Sequence, residues 1–430
     1  MKKIAFKTLG CRLNQYETDA LVSQFATNGY EIVDFSKNAD IVVINTCTVT
    51  DQSDQKSNQM IRQATRRHPG AMIIVTGCMV NNYRQRLKND PDNLTWFVDN
   101  KHKSDIFSLV DGHYNGEIIH PEQGNSGLFG YPPASKTLHT RSWIKIQDGC
   151  DNFCAFCIVP KVRGRAVSRP YEDILDNIKQ VVGFGFKEVV LTGVNIARYS
   201  YDNVDFENLI EKVLNLHEDF RLRIGSIEPD GFGDKLISLF EHPKLTPHLH
   251  LCLQSGSDEI LLKMRRMYAV TDFLNIVDKI RKRYPLFNFT TDLIVGFPSE
   301  TEDDFNKTIE VCRQIGFGHI HTFKYSVRKG TRAEKMPDQI AENVKVARSE
   351  KIRDLSVELK HNYRKQWLGK TQNVLVEKNL FGTSYGYGEN YLPVKFKDRG
   401  RLTNYFAAVK ITNIEPNGDE PALIGIKTDF

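Results

Sequence analysis

The sequence predicts an α/β multidomain protein with three parts. These are an N-terminal doubly wound parallel sheet, a central partial (β/α)6 barrel and a small C-terminal antiparallel β-barrel. Three observations predict it. The first hundred residues alternate strand and helix; six further strand–helix units follow from Trp143; and short strands with glycine turns fill the last sixty residues. The expected boundaries are 1–112, a linker over 113–140, a core over 141–368 and a terminal domain over 369–430.

In the first part, Lys3–Thr8 reads as a strand. Asn14–Asn28 reads as a helix with Asn14 as cap and Gly29 as stop. Asp40–Asn45 is a β-branched run suited to a buried parallel strand. Gln52–Arg67 is helical up to Pro69-Gly70, and Ala71–Thr76 is a third strand. A cysteine follows each strand: Cys11, Cys47 and Cys78. Ligands of open α/β sheets collect beyond the carboxyl ends of strands, so these loops can bring the three thiols together. Residues 113–140, with Tyr131-Pro132-Pro133, read as a linker or surface excursion.

The core strands are expected at Trp143–Gln147, Lys187–Thr192, Arg221–Ser226, His248–Gln254, Asn288–Val295 and Gly318–Tyr325. Helices such as Tyr171–Phe184 and Glu302–Ile315 lie between them. Polar or glycine motifs fall at the strand ends, where barrels of this kind place their sites. Cys150, Cys154 and Cys157 follow the first strand, within eight residues of one another. Three thiolates can hold one metal centre, yet are one short of the four cysteines that close an ordinary iron–sulfur cluster. The missing ligand keeps a position open for substrate or cofactor, as in catalytic zinc sites.

A long charged helix, about Ala341–Trp367, leads to strands at Asn373–Glu377, Leu392–Phe396, Ala407–Ile411 and Ala422–Ile426. Small five-stranded barrels often bind oligonucleotides. Residues 361–410 carry nine Lys/Arg against three Asp/Glu, with Tyr385, Tyr387, Tyr391 and Tyr405 among them. Basic surface with stacking aromatics suits single-stranded or looped RNA.

Gross composition bounds the rest. Hydrophobic content of 40% and charged content of 26% fit a globular protein, and the net charge is only +5. No apolar run reaches membrane-span length, and the N-terminal apolar stretch is too short for a signal peptide. The expected location is the cytoplasm, where eight cysteines read as metal ligands or core residues before disulfides. The pairs His248/His250 and His319/His321, with Cys252 and Cys312, are expected to be structural. No Ser-His-Asp order, P-loop or paired-carboxylate pattern stands out.

The Cys150-Asp151-Asn152-Phe153-Cys154-Ala155-Phe156-Cys157 loop resembles the signature of radical-SAM enzymes. The stretch from Cys157 to Arg165, followed by Ser168-Arg169-Pro170, looks like their methylthiotransferase branch, as do Asn45-Thr46-Cys47 and Thr76-Gly77-Cys78. Glu389-Asn390-Tyr391-Leu392-Pro393-Val394 is similar to the core of the RNA-binding TRAM barrel. The resemblance covers nearly the whole chain. It implies two [4Fe-4S] clusters, one on Cys150, Cys154 and Cys157 and one on Cys11, Cys47 and Cys78. It also implies S-adenosyl-L-methionine as radical source and methyl donor, and an electron donor such as flavodoxin or ferredoxin. The implied reaction takes hydrogen from C2 of a tRNA adenine and puts a methylthio group there.

Thr8-Leu9-Gly10-Cys11-Arg12-Leu13-Asn14-Gln15-Tyr16-Glu17-Thr18 most resembles the subgroup acting on N6-threonylcarbamoyladenosine beside the tRNA anticodon. The subgroups acting on isopentenyladenosine and on ribosomal protein S12 look different there and remain the alternatives. Two departures stand out. Arg12-Leu13 replaces the commoner Lys-Val, and Met79-Val80-Asn81 replaces Tyr-Ala-Gln. Expected cofactor contacts are Phe156 on the adenine, Gly193 and Asn195 at the methionine end, Glu228 on ribose hydroxyls, and Gln254 and Ser257. Arg163, Arg165 and Arg169 are expected on the cofactor carboxylate or RNA phosphate. The expected partner is the anticodon stem-loop; no membrane is expected, and a monomer is. A non-catalytic iron–sulfur or zinc RNA-binding module is the competing class.

Overall fold

The computed structural model describes residues 1–83, 95–117, 127–135, 137, 139–398, 400, 403–416 and 420–428. The N-terminal part holds a five-stranded parallel sheet in the order Glu31–Val33, Lys3–Thr8, Ile41–Thr46, Met72–Gly77 and Thr95–Val98. Its two edge strands are additions to the three expected. Successive side chains of a strand face opposite ways. Accordingly, Ile41 and Val43 enter one core, while Val42 and Ile44 enter another. Helices therefore cover both faces. Cys11, Cys47 and Cys78 follow three adjacent strands at one edge.

The first helix is Arg12–Thr27, two residues earlier than expected, with Cys11 rather than Asn14 at its cap. Asn14 is fully buried, and its amide donates to the carbonyls of Leu9 (2.8 Å) and Thr46 (3.0 Å). It ties the Cys11 loop to the Cys47 strand instead of capping. The next helix, Asp51–Arg67, is capped by Thr50, which accepts from the Ser53 N–H at 3.1 Å.

Six core strands pair in parallel in sequence order: Ser142–Lys145, Glu188–Thr192, Arg221–Ile224 continued by Ser226–Ile227, His248–Leu251, Asn288–Val295 and His319–Lys324. The third strand breaks at Gly225, where a Cβ would lie 2.7 Å from the Leu191 carbonyl oxygen. The helix Glu302–Ile315 has its expected limits, and Tyr171–Gly183 stops one residue early.

Within 113–140, residues 118–126, 136 and 138 lie outside the described residues. The described remainder packs rather than wandering over the surface. Tyr131 is buried edge-on against Tyr16, with ring centroids 5.6 Å apart.

The helix Glu342–Lys365 precedes a closed barrel of Thr371–Leu380, Thr383–Tyr387, Pro393–Lys397, Leu423–Lys427 and Phe406–Ile414. Thr383–Tyr387 was not expected, because its glycine reads as a turn. Gly386 is needed there: a Cβ would lie 2.0 Å from the Leu375 carbonyl oxygen. The barrel is not wholly antiparallel, since Pro393–Lys397 and Leu423–Lys427 run parallel. Its tyrosines divide. Tyr385 is exposed, but Tyr387 and Tyr391 stack on each other at 5.0 Å and face Arg141 from inside the protein. Arg399 and Arg401, two of the basic residues counted above, lie outside the described residues.

Candidate active site between two cysteine sets

The core cysteine loop is held by backbone geometry. Gly149 has φ +69° and a Cβ there would lie 2.0 Å from the Arg165 carbonyl oxygen, so only glycine fits. The Cys150 N–H donates to Gly164 at 3.1 Å, and the Cys157 N–H to Cys154 at 3.0 Å. Each sulfur also receives a donor. Asn152 N–H points at Cys150 Sγ (3.5 Å), Val159 N–H at Cys157 Sγ (3.4 Å), and Arg266 Nη1 at Cys154 Sγ (3.2 Å). Burial nevertheless pushes all three thiols up, Cys157 to about 12. Metal ligation requires thiolate, so a bound cation would supply the charge that burial withholds.

The N-terminal set is built differently. Cys47 and Cys78 are buried, and Cys11 is accessible at the cavity rim. Gly10 (φ +92°) lets its loop lie directly on Cys47; a Cβ there would be 2.9 Å from Cys47 Sγ. Ser57 Oγ clamps Cys47, accepting from its N–H (3.3 Å) and donating to its carbonyl (2.9 Å). Burial pushes the Cys47 thiol up to about 11, and its neighbours Cys78 and Cys11 add to the rise.

The two sets face each other. Cys78 packs with Ile158 and Val162, just beyond Cys157. The Asn100 amide lies 3.9 Å from Cys78 Sγ and donates to the Val162 carbonyl at 3.1 Å. A cavity of about 1070 Å³ is bordered by Cys11 and Cys47, and an adjoining lobe of about 170 Å³ by Phe156, Cys157 and Gln254. Both are lined by Asp292 and residues 323–326. Another cavity, about 820 Å³, lies over the helix Asp51–Arg67 beside Arg62, Arg66 and Arg67, with no cysteine in its lining.

The remaining expected site residues fall into two groups. Phe156 and Gln254 line the small lobe, and Gln254 has φ +65°. Asn195 is buried beside Cys150, and neither side-chain polar atom has a well-aligned partner. Glu228 pairs with Arg266 Nη2 at 2.9 Å and accepts from the Asn152 amide. The others are engaged in the scaffold. Gly193 packs on Gln147, where a Cβ would lie 2.8 Å from the carbonyl oxygen. Ser257 caps the helix Asp258–Lys263 and donates to Asp304 at 2.5 Å. Arg169 is buried and donates to Asn177 at 2.9 Å. Arg163 is buried against Glu17 and Asp148, and exposed Arg165 pairs with Asp151 at 2.6 Å.

Two organising residues carry no motif of their own. Gln147 Oε1 accepts from the N–H groups of Val194 (3.0 Å) and Asn195 (2.9 Å), and so sets the loop that presents Asn195. Arg266 joins Cys154, Glu228 and the Tyr268 hydroxyl. Its place after an ordinary charged helix gave no signal. The strand histidines hold one another through Thr290: His248 Nε2 and His250 Nδ1 lie 3.1 and 3.0 Å from its hydroxyl. His250 also meets Asp292 at 3.2 Å, and the ligand atoms of His250, Cys252 and Asp292 lie within 4.8 Å of one another.

The Radical SAM superfamily matches residues 144–312, and the Uncharacterized protein family UPF0004 matches residues 3–99. The threonylcarbamoyladenosine tRNA methylthiotransferase MtaB of Bacillus subtilis is 36% identical, over 96% of this chain and 94% of its own. The chain belongs to the radical-SAM methylthiotransferase family. Another relative in that family, the tRNA-2-methylthio-N(6)-dimethylallyladenosine synthase of Pelotomaculum thermopropionicum, is 34% identical over 91% of this chain and 90% of its own. The radical S-adenosylmethionine methyltransferase TsrM of Kitasatospora setae shares the fold at TM-score 0.54 and 14% identity, covering 75% of this chain and 72% of that one. A methylthiotransferase of the radical-SAM class uses S-adenosylmethionine and a [4Fe-4S] cluster. Among the described residues no helix is long and apolar enough to cross a membrane.

Proposed function

We propose that this protein transfers a methylthio group to C2 of N6-threonylcarbamoyladenosine beside the anticodon of tRNA. The observation that carries the reading is a pair of three-thiol sets beside adjoining cavities with a shared wall, Cys11 and Cys47 bordering one and Cys157 the other. One set alone would serve radical generation. Two sets facing one space suit a reaction that both activates a C–H bond and delivers sulfur. The residues fit the groups they would hold: all six thiols are free, Cys47 and Cys78 are buried, and the buried Asn195 amide beside Cys150 has no well-aligned partner.

Cys150, Cys154 and Cys157 would hold the cluster that reduces S-adenosylmethionine to a carbon radical, and Cys11, Cys47 and Cys78 a second cluster that supplies sulfur. The chain's own residues do the positioning. Gln147 fixes the Asn195 loop, and the Asn195 amide offers a donor and an acceptor to the cofactor. Phe156 and Gln254 wall the small lobe on the cofactor side. Arg266 places positive charge beside Cys154 and is itself held by Glu228. Asp292, paired with His250, lies where the two cavities meet. The electron comes from a separate protein such as flavodoxin or ferredoxin. The C-terminal barrel presents Phe381, Tyr385 and Lys397 for RNA.

The test uses iron-reconstituted protein under reductant with three substrates: a threonylcarbamoyladenosine stem-loop, an isopentenyladenosine stem-loop and ribosomal protein S12. Mass spectrometry should find the methylthio group on the first. Modification of only the second or third would refute the reading. RNA binding with no 5′-deoxyadenosine release would replace it with a non-catalytic role.

A further inference from the structure

We propose that Lys345 and Tyr325 form an oxyanion subsite in the larger cavity that grips a negatively charged group of the substrate nucleotide. Lys345 is 7% exposed and lines that cavity. Gly296 leaves room for its stem; a Cβ there would lie 2.4 Å from Lys345 Cγ. Its Nζ lies 5.3 Å from the Tyr325 ring centroid. Among the described residues no carboxylate pairs with it. Tyr325, 4% exposed, lines both cavities, and its buried hydroxyl has no hydrogen-bond partner. Burial, with the Glu334 carboxylate adding to it, pushes that phenol up to about 12, so it remains a donor at neutral pH. Thr322 Oγ1, on the same wall, is also unpartnered.

Most other charges of the cavity have partners. Lys324 pairs with Glu342, Asp51 with Arg328 at 2.7 Å, and Asp292 with His250 at 3.2 Å. Arg353 is exposed, with only a loose contact of 3.9 Å to Glu350. Lys345 is thus a buried cation of the cavity lining that no carboxylate pairs with among the described residues. Burying a hydroxyl without a partner is costly, and a cation with no carboxylate beside it can take an anion, so the arrangement suits a working state in which an anion meets both. Two oxyanions of the nucleotide fit: the carboxylate of a threonylcarbamoyl group, or its backbone phosphate. The identity of the nucleotide rests on the proposed function; the anion subsite does not.

The test is RNA binding by the full-length protein, read by fluorescence anisotropy without S-adenosylmethionine. Three stem-loops serve as probes: one with threonylcarbamoyladenosine, one with its carboxylate converted to a primary amide, and one with an uncharged methylphosphonate at the adjacent linkage. Lys345→Met should weaken the carboxylate stem-loop by about 10–100-fold, the range for a lost charge-assisted hydrogen bond. A loss absent from the amide probe supports the subsite and assigns it the carboxylate. A loss absent only from the methylphosphonate probe supports it and assigns the phosphate. Equal losses on all three probes, or none, would overturn it. Tyr325→Phe, which keeps the ring, should give the same pattern at about 3–10-fold. Lys345→Arg should keep most of the affinity, and thermal melts check that each variant is folded. If the wild type binds with this pattern but does not modify the carboxylate stem-loop, the functional reading fails and the subsite stands.

Discussion

Replacing Glu17 by Gln removes one charge from a buried network that spans the two cysteine sets. Glu17 lies on the helix that starts after Cys11, and its carboxylate meets Lys103, Lys145 Nζ (3.2 Å) and Arg163 Nη1 (3.1 Å). Asp148, two residues before Cys150, meets Lys145 at 2.5 Å and the same Arg163 nitrogen at 3.0 Å. Every one of these side chains is at most 2% exposed. Three buried cations thus share two carboxylates, and Glu17→Gln leaves them one. Removing one partner from a buried ion pair costs about 3–5 kcal/mol. The exposed pair Lys179–Asp176 is the contrast; Lys179→Ala should cost under about 1 kcal/mol.

Urea unfolding of the cluster-free protein, reduced and anaerobic, measures the difference. A loss below about 1 kcal/mol for Glu17→Gln would refute the reasoning, because it would mean the network behaves like a surface pair. The pH dependence has a definite sign. Burial opposes ionisation of Glu17, but Arg163, Lys103 and Lys145 outweigh it and hold its carboxyl well below the ordinary 4.5. Asp148 is likewise held below 3.8, burial being outweighed by Arg163 and Lys145. Their stabilisation is complete above those values and is lost as pH falls below them. Wild type should lose stability there, and the Glu17→Gln curve should be flatter. Since the network sets one cysteine loop against the other, methylthio product per 5′-deoxyadenosine released should also fall.

Three further outcomes follow from the same geometry. The intact anaerobic protein should bind about eight iron atoms; Cys11, Cys47 and Cys78 all changed to Ala should leave about half, with S-adenosylmethionine still cleaved. Loss of all iron and all cleavage in that variant would count against two independent sites. Gly10→Ala should act like the triple change on iron content, because its Cβ would sit 2.9 Å from Cys47 Sγ at φ +92°; an unchanged iron count would show that the loop yields. Glu188→Gln should destabilise by about 3–5 kcal/mol, since it strips the buried Arg221 and Arg223 of their carboxylate. Those arginines donate to the barrel carbonyls of Asn373, Tyr387 and Glu389, so limited proteolysis should release the barrel sooner; unaltered cleavage would refute that link.

What the sequence makes legible is whatever repeats locally. The β-branched run read at Asp40–Asn45 forms the strand Ile41–Thr46, and the helical pattern read at Glu302–Ile315 forms a helix of those limits. The cysteine loop declares itself through spacing alone. Three regularly placed strand ends are enough to group Cys11, Cys47 and Cys78, because parallel sheet topology turns equal loop positions into neighbours in space. Other features have no local period. Arg163 reads as an anion binder by composition, but its buried guanidinium meets Glu17 and Asp148, which neither period nor spacing reports. Arg12 shows the consequence. It departs from the commoner Lys beside Cys11, where sequence offers no reason for it. In the folded chain its guanidinium lies 5.3 Å from the Trp143 ring and 5.5 Å from the Tyr391 ring. One planar cation thereby touches the N-terminal helix, the first core strand and the C-terminal barrel, a stacking task for which guanidinium is better suited than ammonium. At this departure Arg12 thus meets rings at the seam between the three parts, next to Cys11 in sequence.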